Sequence, residues 1–61
     1  MTKRELANRL DALSQQMIST AERMAQHEGE PYQQHATELE NVGHMVAMWH
    51  LAVLEEADGL E

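Results

Sequence analysis

The 61-residue chain contains no cysteine and no phenylalanine, and only one proline, one tryptophan and one tyrosine. Without cysteine, neither a disulfide nor a cysteine-bound zinc can staple the fold, and a reducing cytoplasm is the expected setting. Long apolar runs are missing too. The longest uncharged stretch, Asn41 to Leu54, is shorter than the roughly 20 apolar residues of a membrane span and carries two histidines. Met1-Thr2-Lys3-Arg4 is not followed by an apolar signal core, so secretion is not expected.

Positive charge is scarce and confined to one half. Lys3, Arg4, Arg9 and Arg23 are the only basic side chains apart from histidine, and Glu5, Asp11, Glu22 and Glu28 balance them. Beyond Glu28 there are seven acids and no Lys or Arg, which leaves a net charge of −7. Nucleic-acid affinity rests largely on Lys and Arg neutralising phosphates, so phosphate binding by the second half is disfavoured. An acidic surface suits solubility or a basic protein partner, and Glu38 and Glu40, outside the expected core, are the candidate partner surface.

Catalytic patterns are absent as well. No Ser-His-acid grouping, glycine-rich phosphate loop or paired-carboxylate pocket can be assembled from these residues, and a thin helical protein encloses no substrate cleft. His44 and His50 are six apart, not at the four-residue spacing that clamps zinc on one helix face. His27 and His35 are expected near the turn with Glu28, Glu30 and Glu38, where helix-end polar packing explains them better than a metal. No catalytic residue, metal or cofactor is expected.

Apolar residues recur at alternating steps of four and three on both sides of a single break, Gly29-Glu30-Pro31. Before it run Leu6, Leu10, Leu13, Met17, Thr20, Met24 and His27. After it run Tyr32, His35, Leu39, Val42, Val46, Trp49 and Val53. Thr2-Lys3-Arg4-Glu5 forms a capping box, Gly29 suits a left-handed helix end, and Pro31 suits a first helical position. Asp58-Gly59-Leu60 repeats the stop signal, with Leu60 able to fold back on Leu54. The spacing predicts an all-α antiparallel hairpin with helices at about 3–28 and 31–57, forming one domain over residues 1–61.

Pairing outward from the turn sets Met24 near His35, Met17 near Val42, Leu13 near Val46, Leu10 near Trp49 and Leu6 near Val53. Leu6, Leu10, Leu13, Met17, Leu39, Val42, Val46, Trp49 and Val53 are the nine residues expected to form the core, with Trp49 as its anchor and Met17, together with Met24 on the same seam, as filler. The same register brings Lys3 and Arg4, at the positive end of helix 1, against Glu55 and Glu56 at the negative end of helix 2.

Helix 2 is apolar well beyond one stripe. Met45, Met48, Leu51 and Leu54 lie outside the expected seam, and Gly43 and Ala47, four apart, would admit a second backbone closely. These six residues are the candidate interface, to be met by a second copy or by a different protein. So short a chain needs such a partner, and dimerising two hairpins yields a four-helix bundle.

In size, Met1-Thr2-Lys3 start and hairpin design the chain resembles the small plasmid proteins of the Rop family, dimeric four-helix bundles that assist RNA pairing. Their basic and aromatic RNA-binding face has no counterpart here, since Arg9 and Arg23 stand apart and phenylalanine is absent. In overall character, over Thr2 to Leu13 and Val42 to Leu54, the chain also resembles short acidic helical accessory proteins from the early regions of lambda-like temperate phages. That likeness implies action in the host bacterial cytoplasm, by binding host or phage regulators and biasing infection. The expectation is therefore a non-enzymatic, homodimeric regulatory protein. A Rop-like nucleic-acid regulator is the alternative.

Overall fold

Thr2 holds an extended backbone, and its Oγ1 accepts the Glu5 amide at 3.1 Å, which satisfies one of the orphan N–H groups at a helix start. From there the chain forms α1 (Lys3–Ala25) and α2 (Glu30–Leu60). The computed structural model describes the backbone of residues 1–60 and the side chains of residues 1–58.

The reversal between the helices is built from four devices. The Gln26 and His27 amides reach back three residues, to the Arg23 carbonyl at 3.2 Å and the Met24 carbonyl at 3.1 Å, so the last turn of α1 tightens. Gln33 Nε2 donates to the Ala25 carbonyl at 3.0 Å, and a side chain from α2 thereby closes the end of α1. Gly29 has φ of 115°, a region open to glycine and costly for any residue with a Cβ. Its carbonyl then accepts the Gln33 amide, which makes Gly29 the residue capping the start of α2, with Pro31 in the first turn, where no N–H is missed.

The boundaries shift from those expected. α1 stops at Ala25, three residues short of 28, because the tightened turn takes up Gln26 to Glu28, all helix-compatible types that give no stop signal. α2 begins at Glu30 and continues through Gly59 to Leu60, past the expected end at 57. The expected contact of Leu60 with Leu54 lies outside the described side chains.

The two helices pack as an antiparallel hairpin in a body of 47 × 14 × 12 Å. A Cβ at Gly43 would stand 2.8 Å from Ile18 Cγ1 and 3.4 Å from Met17 Cβ, which marks a close approach of the two helices. Lys3 Nζ meets Glu56 Oε1 at 2.6 Å and Arg4 Nη2 meets Asp58 Oδ1 at 2.9 Å, tying the open end. The register is thus within one residue of the expected one: Met17 faces Gly43 rather than Val42.

The seam itself differs from the expected core. The residues buried between the helices are Ala7, Ser14 and Ala21 from α1 and Ala36, Gly43, Val46 and Ala57 from α2, with His50 part-buried among them. All but Val46 stand seven apart within their helix, the spacing of one coiled-coil position. Small side chains here let the backbones close in, and the bulky stripe is displaced to one flank. Of the nine residues expected to form the core, only Val46 is buried. Leu10, Met17, Leu39 and Val53 are half-buried, while Leu6, Leu13, Val42 and Trp49 are exposed.

Candidate functional site

In an antiparallel pair whose seam is one heptad position, the position three residues later on each helix turns to the same side. Leu10, Met17 and Met24 hold that position on α1, and Leu39, Val46 and Val53 hold it on α2. One step further out stand Leu6 and Leu13 on α1 and Val42 and Trp49 on α2. These five residues on each helix therefore form a single apolar flank two helices wide. Two shallow hollows run along it. One, of about 360 Å³, is bordered by Met24, His35, Glu38, Leu39 and Val42. The other, of about 240 Å³, is bordered by Leu13, Gln16, Met17, Thr20 and Leu39. Leu39 divides them, and both draw walls from α1 and α2, so the two stripes share one surface.

Exposure on this flank is high for its chemistry. Leu13 is 46% accessible and Trp49 52%, so Trp49 is not the buried anchor expected of it. Among the described residues Val46 is the one buried side chain larger than serine, so the hairpin holds almost no large-residue core of its own.

The six candidate interface residues separate into two groups. Met45, Met48 and Leu51 are exposed, Met48 at 69%, on the outward half of α2. Gly43, Ala47 and Leu54 turn toward α1 instead: Gly43 is buried, and Ala47 and Leu54 are half-buried. The close approach that Gly43 permits is made to Met17 and Ile18 of its own chain.

Glu38 and Glu40 are exposed, but two positions apart on a helix they stand about 200° around the axis from each other. Each has a histidine beside it: His35 Nδ1 lies 3.6 Å from Glu38 Oε2, and His44 Nε2 lies 3.6 Å from Glu40 Oε1. They border two different flanks and do not make one acidic patch.

The remaining histidines have local partners. His27 packs against Tyr32, ring centroids 5.3 Å apart, at the turn. His50 sits in the seam with Nδ1 2.8 Å from the Ala7 carbonyl. A carbonyl only accepts, so Nδ1 carries the proton. The placement of His50 at a seam position was not foreseen; its seven-residue distance from Gly43 and Ala57 is the signal that would have found it. Among the described residues no three His, Asp or Glu side chains converge as a metal site would require. A further surface hollow, about 460 Å³, is lined by α1 alone from Ala12 to Arg23, and one helix cannot surround a ligand.

No helix among the described residues is long and apolar enough to cross a membrane. In comparison with known proteins, no family model, curated protein or solved structure matches the chain.

Proposed function

We propose that the chain is a non-enzymatic interaction protein that homodimerises into a four-helix bundle and binds a host or phage protein in the bacterial cytoplasm to modulate infection. The observation that carries the interaction reading is the inverted distribution of side chains. Apart from Val46, the buried residues are alanine, serine and glycine, while Leu6, Leu13, Val42, Met45, Met48, Trp49 and Leu51 stay accessible. Exposed apolar surface on this scale in so small a body is the mark of a surface made to be covered. The phage setting rests on the resemblance of overall character alone.

A basic protein partner fits the charge. At −7 the surface attracts cations and steers them to encounter, most strongly at low ionic strength. The nucleic-acid alternative has little to stand on, because Lys3 and Arg4, the one pair of adjacent basic residues, are engaged by Glu56 and Asp58. Few cations remain to displace counterions from a phosphate backbone.

Sedimentation of the purified chain, paired with a gel shift at about 150 mM salt, tests this reading. A dimer that leaves RNA and DNA unshifted supports it. A micromolar shift of either nucleic acid at that salt overturns it in favour of the alternative.

A further inference from the structure

We infer that the apolar flank bearing Leu13, Val42 and Trp49 is covered by a second copy of this chain, flank against flank, while the outward methionines of α2 remain outside that contact. The inference rests on the homodimer reading and adds which surface is buried.

The area fits a second copy. The hairpin exposes 4668 Å². A compact monomer of 6.9 kDa exposes about 4,000 Å². The surplus, about 700 Å², approaches the roughly 800 Å² that each partner gives up in a stable complex. Shape points to the same flank. Leu6, Leu13, Val42 and Trp49 stand on a face spanning both helices, so one partner can cover them together. Met45, Met48 and Leu51 line the outer side of a single helix and offer a partner only that helix's width.

Relief and charge make the flank its own complement. The hollows on either side of Leu39 are sockets, and the accessible Leu13 and Val42 beside them are knobs. Arg9 and Arg23 stand seven residues to either side of Gln16, which borders one hollow, and this row edges the flank along α1. Glu38 edges it along α2. A copy turned about an axis parallel to the helices lays α1 on the partner's α2, with the basic edge against the acidic one. No foreign charge is needed, and a two-fold pair closes the surface.

The test compares wild type, Leu13→Glu and Met48→Glu by sedimentation equilibrium and circular dichroism at matched concentrations. Wild type should be a dimer. Leu13→Glu should weaken association by about a hundredfold or more, because a carboxylate is driven into the contact, whereas Met48→Glu should stay within about threefold of wild type. Should Leu13→Glu fail to fold, acrylamide quenching of Trp49, the only tryptophan, gives a second readout in the wild type. Quenching should rise as the dimer is diluted apart, and unchanged quenching through dissociation overturns the assigned flank. A wild-type dimer broken by Met48→Glu and not by Leu13→Glu also overturns the flank while the dimer stands. A folded wild-type monomer at tens of micromolar overturns the dimer reading itself.

Discussion

The seam between the helices and the flank beside it are built from opposite materials. Ala7, Ser14, Ala21, Ala36, Gly43 and Ala57 are buried, whereas Leu6, Leu13, Val42 and Trp49, two to four times their size, stay accessible. In a self-sufficient domain the order is reversed, because burying a leucine or tryptophan removes far more apolar area from water than burying an alanine. The small residues act through distance: they bring two backbones close enough that both stripes lie side by side on one flat face. On the proposed reading the hairpin is one half of a core, and a second copy of the chain supplies the other half.

Substitutions on each side of this divide should behave differently, beginning with the largest effect. Leu13→Ala on the flank should cost about 2–4 kcal/mol of stability, the value for a buried leucine, and the cost should shrink as the protein is diluted. A concentration-independent loss of about 1 kcal/mol or less in thermal melts, the value for a half-exposed side chain, would break the comparison. Gly43→Val in the seam should cost about 1–3 kcal/mol by overpacking, since its Cβ alone meets Ile18 Cγ1 at 2.8 Å. The gain in helix propensity over glycine, under about 1 kcal/mol, does not offset that. Urea unfolding of this variant at two protein concentrations would show whether the seam acts within one chain.

Smaller effects belong to the ends, away from both regions. Thr2→Ala should cost about 1 kcal/mol through loss of the bond to the Glu5 amide, read by circular dichroism melts. The Lys3–Glu56 pair is accessible on both sides, so a double-mutant cycle should return less than about 1 kcal/mol, and less again in high salt. A larger coupling would mean that the open end is shielded from solvent in the assembled protein.

Much of the hairpin was legible in the residues. Gly29 marked the reversal because it alone there tolerates a positive φ, and the misplaced charges Lys3 and Arg4 meet acids across the open end, Glu56 as expected and Asp58 in place of the expected Glu55. The seam was not legible in the same way. Bulky apolar residues dominate any periodicity, and here they trace the flank, so Leu13 and Trp49 read as core. Alanine, serine and glycine carry little hydrophobic signal. Their seven-residue steps, Ala7-Ser14-Ala21 and Ala36-Gly43-His50-Ala57, are what betray the contact. Gly43 was understood as a place of close approach, and the approach proved to be to its own α1. Partner and process left no trace in the residues, because an apolar contact surface needs only shape and area and no chemically distinctive motif.

The most direct test of the missing half-core is an isotope-filtered nuclear Overhauser experiment on a mixture of ¹³C-labelled and unlabelled chain. Intermolecular contacts should join the methyl groups of Leu13, Met17 and Val42 and reach the Trp49 ring, with none at the Met48 methyl. Intermolecular contacts confined to Met45, Met48 and Leu51, or none at all in a folded sample, would contradict the account.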